Sequence, residues 1–256
     1  MAHKTISPAT PRPDSEESRP CPTCKRGRVI PVRMPWGETM WPPRCGACAR
    51  GLEQDEKAEQ ARHRVEQMLA RSGITARLAP LTLHTYPADN SGQAALDVAG
   101  GWLRDYLEHD SRANLLLFGG VGVGKTGLAW GIVRELCERG RSATLVNFRL
   151  LLHELREGIR QDAPNTLISR CRRVEVLCLD DLGAERATDF ARDSLATLVE
   201  YRYGASLPTI VTSNYDPGKL AERLGHDDVT VGQRIVSRLV EGAVQHRMLG
   251  PDRRLP

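Results

Sequence analysis

The chain is poor in aromatic residues, with three Phe, five Tyr and four Trp among 256 positions. Of its 36 basic residues only five are Lys, at positions 4, 25, 57, 125 and 219. No apolar run approaches the roughly 18 residues of a membrane-spanning helix, which excludes a membrane span. The first stretch, Met1–Pro20, is polar and rich in Pro and Ser, without the apolar centre of a secretory signal. A cytosolic location is therefore expected. There, seven cysteines read as metal ligands or buried thiols, not as disulfides. With 40% apolar residues, the chain suits one medium globular domain plus an appendage.

The net charge of +4 is unevenly spread. Residues 1–52 hold nine Lys/Arg against four Asp/Glu, while the remainder holds 27 basic (36−9) and 28 acidic (32−4) residues. Nine of the 16 prolines also fall in 1–52. This shift marks a boundary near Gly51. It divides a polar tail (1–20), a small module (21–51), a linking segment (52–73) and a main domain (74–256).

The small module carries two C-x-x-C pairs, Cys21/Cys24 and Cys45/Cys48, 20 residues apart. Four thiolates at this spacing can close a tetrahedron around Zn²⁺, each pair giving two ligands from a tight turn. About 50 residues with few aliphatics cannot bury enough surface to fold alone, and structural zinc supplies roughly 10–16 kcal/mol. A redox C-x-x-C would need a surrounding βαβ pattern, which is absent. Between the pairs, Val29–Trp41 predicts the short hairpin of a zinc ribbon, with Met34, Trp36, Met40 and Trp41 beside Lys25, Arg26, Arg28, Arg33 and Arg44. Such a surface can stack on single-stranded nucleic acid, anchor a protein partner, or only cover the metal knuckles. From Leu52 to Arg71, Ala58, Ala61, Val65, Met68 and Leu69 recur at helical spacing, and Ser72-Gly73 ends the helix.

The main domain holds the most specific motif. Gly119-Gly120-Val121-Gly122-Val123-Gly124-Lys125-Thr126 follows the apolar run Asn114–Phe118 and fits G-x-x-x-x-G-K-[ST]. Glycines let backbone N–H groups wrap a phosphate at a helix N-terminus. Lys125 is placed to reach the β- and γ-phosphates, and the Thr126 hydroxyl to ligate Mg²⁺. The alternative, a glycine-rich turn with an incidental lysine, is disfavoured by the scarcity of lysine. Nucleoside triphosphate binding follows.

Beyond it, strands at 143–148, 174–181 and 208–214 alternate with helices at 127–139, 150–160, 166–173 and 189–203. Apolar, unalternating strands predict a parallel sheet covered on both faces, an α/β three-layer P-loop sandwich with ligands at the carboxyl strand ends. Gly119, Asp180 and Asn214 all fall at that edge. Asp180 is expected to hold Mg²⁺ and Asp181 to orient and deprotonate the attacking water. Both could instead form a helix cap or a solvated strand end. Asn214 could hold the water or the γ-phosphate, although Ser213–Gly218 also suits an ordinary turn. Arg234 and Arg238 lie at i, i+4 on one helix face, placed to stabilise a neighbouring subunit's transition-state charge or simply to face solvent. Cys137, Cys171 and Cys178 read as buried apolar residues.

With these motifs, residues 72–256 resemble the AAA+ (ASCE-type) ATPases of the bacterial DnaC/DnaI helicase-loader and IstB transposition-helper group. The matching elements are Ser72-Gly73-Ile74, Leu81–Tyr86, Asp89–Gln93, the P-loop, Val176–Gly183, Thr212–Asn214 and Gly232–Leu239. The resemblance implies ATP and Mg²⁺ as cofactors beside Zn²⁺, with slow hydrolysis that depends on self-association through the ATP sites. Arg238 would be the trans-acting arginine finger, Arg234 its helper, and Gly250–Arg254 a second phosphate sensor. Eighteen residues follow Arg238, too few for the three-helix lid of many relatives. The acidic pair often ends in Glu in that group, and the shorter Asp181 implies slower turnover. The resemblance further implies a replicative hexameric helicase and single-stranded DNA as partners. Arg149, Arg156, Arg160, Arg170, Arg172 and Arg173 would face the DNA or solvent. The other member class of the group implies duplex DNA and a transposase instead.

Overall fold

The structure, a computed structural model, describes residues 18–73, 75–87, 89–161, 166–185, 188–225 and 227–254. The chain divides into two compact units, one ending at His63 and the other starting at Arg64. Residues 1–17 of the expected tail lie outside the described residues, as does Ile74.

In the first unit, β1 (Arg19–Pro20) pairs antiparallel with β2 (Arg28–Val29), and β3 (Val32–Arg33) with β4 (Thr39–Met40). The second pairing is the expected hairpin. Arg19 and Pro20, assigned to a tail, are instead a strand. Helix α1 (Gly46–Arg71) starts inside the second cysteine pair, so only the first pair sits in a turn. The composition shift at Gly51 falls within this helix. Ala58 and Ala61, expected on its apolar face, are exposed, whereas Met68 and Leu69 pack on the core of the second unit.

The second unit is built on a five-stranded parallel sheet in the order β6-β7-β8-β5-β9. Its elements run α2 (Asn90–Glu108), β5 (Leu115–Gly119), α3 (Lys125–Glu138), β6 (Ala143–Asn147), α4 (Phe148–Arg160) and α5 (Thr166–Arg173). Then follow β7 (Val176–Leu182), α6 (Asp189–Gly204), β8 (Thr209–Ser213), α7 (Pro217–Gly225), α8 (Val229–Val240) and β9 (Val244–Met248). Side chains alternate across the sheet, because successive strand residues point to opposite faces. Leu115, Leu117, Cys178 and Ile210 join the core under α2 and α3. Leu116, Leu177, Leu179 and Val211 join the core under α4, α6, α7 and α8. Both faces are covered, which is why the strands read as unbroken apolar runs. The three-layer P-loop sandwich is the observed fold.

Two boundaries differ from expectation for local reasons. Asn147 caps α4, accepting from Arg149 N and Leu150 N, so Phe148 opens the helix instead of ending the strand. The stretch at Tyr215–Gly218 opens α7: Asp216 Oδ1 accepts from Lys219 N at 2.9 Å, and Pro217 suits a first helical turn. Strand β9 had no sequence signal, since this sheet-edge strand alternates Val, Gln, His, Arg and Met.

Arg202 on α6 is 1% exposed. Its guanidinium donates to the carbonyls of Cys171 (2.9 Å), Val174 (2.9 Å) and Pro208 (2.7 Å) and to Thr209 Oγ1 (3.0 Å). It thereby fastens the end of α5 to the start of β8.

Candidate nucleotide site and cysteine cluster

The P-loop connects β5 to α3 in the conformation its glycines permit. Gly122 and Gly124 take φ of +77° and +102°, which L side chains rarely adopt. Space forbids substitution as well. A Cβ on Gly122 would strike the Asp252 carboxyl, one on Gly124 the Tyr86 hydroxyl, and one on Gly119 the Met248 carbonyl. Arg253 braces the loop from outside: its N–H donates to Gly122 O at 3.0 Å and its Nε to Val123 O at 3.3 Å. Its Nη2 donates at 2.9 Å to Asp89, the residue that caps α2.

A cavity of about 620 Å³ opens beside the loop, within the size range of ligand sites. Its lining includes the polar Lys125, Thr126, Asp180, Asp181, Asn214 and Arg254 and also Thr75, Leu78, Leu81 and Tyr86. Lys125 Nζ donates to Gly119 O (2.9 Å), Gly120 O (2.6 Å) and Asn214 Oδ1 (2.8 Å). Burial pulls its pKa down, while Asp181 and Asp180 act to raise it.

The carboxylates owe their placement to an irregularity in the sheet. Between Leu179↔Val211 and Leu182↔Ser213, β7 has one more residue than β8. Asp181 absorbs the extra residue with φ of +58°. Such a bulge re-aims side chains at a sheet edge. Asp180 Oδ1 accepts from Thr126 Oγ1 (2.8 Å) and Thr212 Oγ1 (2.7 Å). Burial raises the Asp180 pKa, and the two hydroxyl bonds oppose that rise. Asp181 Oδ1 accepts from Asn214 Nδ2 at 3.2 Å, and its N–H donates to Thr212 Oγ1 at 2.8 Å.

The fold therefore joins the P-loop, Asp180, Asp181 and Asn214 in one site. Thr126 and Asp180 could together hold Mg²⁺, their oxygens already in contact. Arg234 and Arg238 do not line this cavity. They lie on α8, where Arg234 Nη2 and Arg238 Nη1 stand 3.1 and 3.0 Å from Glu200 Oε1. Thr212 and Arg253 were not singled out from the sequence as site residues, although each sits in a stretch that carries the resemblance.

In the first unit, the sulfurs of Cys21, Cys24, Cys45 and Cys48 all lie within 4.8 Å of one another. Cys21–Cys48 and Cys24–Cys45 are 4.0 and 3.8 Å apart. A tetrahedron with Zn–S of about 2.3 Å requires edges of about 3.8 Å, so the cluster fits zinc. Backbone N–H groups serve the sulfurs, Gly27 N to Cys24 at 3.3 Å and Cys45 N to Cys21 at 3.1 Å. The N–H groups around Cys21, led by that of Cys24, hold its thiol at about 6. Hydrogen bonding of the Cys48 thiol to the Cys24 and Cys45 sulfurs pushes it up to about 12.

Sequence comparison agrees with this geometry. A family model for the IstB-like ATP binding protein matches residues 53–254. The chain belongs to that family. Among the family's relatives, the replicative helicase loader DnaI of Bacillus subtilis is 29% identical over 175 residues, covering 66% of this chain and 56% of that protein. A putative insertion sequence ATP-binding protein of Sinorhizobium fredii is 30% identical over 157 residues, covering 61% and 60%. The chain thus spans under two thirds of the length of these relatives. The crystal structure of DnaI superposes with a TM-score of 0.60 at 30% identity, covering 70% of this chain and 94% of that one. That of the DnaC helicase loader gives 0.60 at 25%, covering 68% and 100%. The family is AAA+ and ATP-binding, and the proteins this chain is similar to include helicase loaders and insertion-sequence proteins alike. Among the described residues, no helix is long and apolar enough to cross a membrane.

Proposed function

We propose that this protein is an ATP-hydrolysing loader of a replicative hexameric helicase. The observation that carries the enzymatic half is the chain Lys125–Asn214–Asp181, which ties the phosphate-binding lysine to a carboxylate through one amide. When a triphosphate enters, Lys125 exchanges the carbonyls of Gly119 and Gly120 for β- and γ-phosphate oxygens. Mg²⁺, held by Thr126 and Asp180, supplies charge neutralisation at the phosphates. Asp181 takes a proton from the attacking water as the water oxygen bonds to the γ-phosphorus and the bond to the β–γ bridging oxygen breaks. Asn214 holds the water or the γ-phosphate in line.

Arg238, helped by Arg234, acts on the site of a neighbouring copy, where a guanidinium stabilises the developing charge. On their own chain both arginines rest on Glu200 and stand outside the cavity, consistent with a role in trans. Turnover is then slow in the monomer and rises on assembly. The basic cysteine module supports the loader reading, since it precedes an ATPase that is similar to DnaI and offers a zinc-held docking piece. Single-stranded DNA is the second partner.

The likeness to insertion-sequence proteins favours a second reading, a transposition helper that coats duplex DNA and recruits a transposase. Size-exclusion chromatography with the hexameric helicase of the same cell decides. Co-elution that requires ATP supports loading. ATP-dependent assembly on duplex DNA with no helicase association overturns it in favour of the second reading.

A further inference from the structure

The turn that follows the acidic pair is gripped at both backbone groups of one residue, the N–H and the C=O of Gly183. Glu185 Oε2 accepts from Gly183 N at 3.0 Å, and Arg223 Nε donates to Gly183 O at 2.8 Å. Glu185 is 7% exposed, and burial raises its pKa above the usual carboxylate range. A buried carboxyl at that position is costly unless it holds something. Arg223 stands on α7, its guanidinium 4.6 Å from the centre of the Tyr215 ring.

Gly183 itself has no freedom of identity. Its φ is +89°, and a Cβ would come within 2.8 Å of Leu220 and 3.2 Å of Tyr215. Two residues earlier Asp181 also has positive φ, at +58°. Two left-handed residues in one tight turn are unfavourable for an unsupported chain, because a non-glycine residue rarely adopts that region. The turn persists where its surroundings hold it. Asp181 N donates to Thr212 Oγ1 at 2.8 Å, Ala184 N to Asp181 O at 3.2 Å and Ser213 Oγ to Leu182 O at 2.8 Å, and the N–H and C=O of Gly183 add two further points of support. The support is firm, because α7 is packed on α8 through Gly225 and Gly232. A Cβ on Gly232 would strike the Ala221 carbonyl.

We infer that Glu185 and Arg223 are positioning residues for ATP hydrolysis, which help set the backbone of Asp181 by clamping the N–H and the C=O of Gly183. Neither touches the nucleotide cavity, so they act on turnover and not on binding. The inference rests on the reading of Asp181 as the residue that activates water.

The test compares Glu185→Ala, Glu185→Gln, Arg223→Met and Asp181→Asn for steady-state ATPase and for binding of a fluorescent ATP analogue. The full chain is used throughout. Loss of one supporting bond is expected to lower kcat about tenfold in Glu185→Ala and Arg223→Met. The analogue's Kd and the ATP KM stay within about twofold of wild type by the same reasoning. Glu185→Gln, whose amide oxygen still accepts from Gly183 N, restores most of kcat. Arg223 is exposed and its replacement does not threaten folding, so wild-type kcat in Arg223→Met overturns the inference whatever happens to Glu185→Ala. An Asp181→Asn variant with full activity would instead sink the reading of Asp181. Loss in Asp181→Asn with wild-type rates in both clamp variants would sink the clamp alone.

Discussion

The ammonium group of Lys125 lies 2.8 Å from Oδ1 of Asn214, a residue 89 positions later at the end of another strand. The same amide donates to Asp181, so Asn214 reads the lysine on one side and the carboxylate on the other. Asn214→Ala breaks this link without emptying the P-loop. Turnover is expected to fall about 100-fold, the effect of removing one preorganised donor. ATP affinity changes by less than about threefold, since uniform binding is untouched. Parallel kcat and Kd measurements check the split.

Asp180 is held in a setting that costs stability. Burial raises its pKa above the ordinary 3.8. Between those two values the native state keeps a proton the unfolded chain has lost. Stability therefore falls as pH climbs through that window, and the loss persists at neutral pH. Asp180→Asn retains the acceptor for Thr126 and Thr212 while removing the charge. It is expected to raise the melting temperature at pH 7.5 by about 3 °C and to abolish Mg²⁺-dependent hydrolysis. The gain in melting temperature shrinks in acid. Calorimetric scans across pH check the sign.

Arg202 offers a test of the fold apart from the site. Arg202→Met leaves several carbonyls without a donor in the interior. The cost is expected to be about 3–5 kcal/mol, seen as a melting temperature lower by about 10 °C. Arg202→Lys recovers only part of it, because an ammonium cannot span carbonyls from α5 and β8 with one planar fork. Thermal denaturation of both variants checks the order.

The cysteine cluster predicts one zinc per chain. Chelation should unfold residues 18–45, where the strand pairs are only two residues long and the buried side chains are chiefly the cysteines and Val29. Nucleotide binding, which uses residues of the second unit alone, should be unchanged. Metal analysis and proteolysis before and after chelation check both statements.

The parts that were legible in the sequence are those where chemistry demands residue type at fixed spacing. The P-loop needed glycines at 122 and 124 because of positive φ and the close approach of Asp252 and Tyr86. The apolar runs of β5, β7 and β8 announced a doubly covered sheet. The bulge at Asp181 was invisible, since register is a property of two strands and only one was in view. Arg253 and Thr212 were hidden for a similar reason: their roles depend on contacts with segments 130 and 32 residues away. Strand β9 alternates polar residues at an edge, and its place beside β5 is set by pairing, not by pattern.

The central claim is that amide groups of residues 119–126 and the Lys125 ammonium clasp a triphosphate. Isothermal titration of Mg²⁺–ATP into folded wild type and Lys125→Ala tests it most directly. One binding site per chain in wild type and none in Lys125→Ala is the expected result. Absence of heat from wild type, or an undiminished signal from Lys125→Ala, would contradict it.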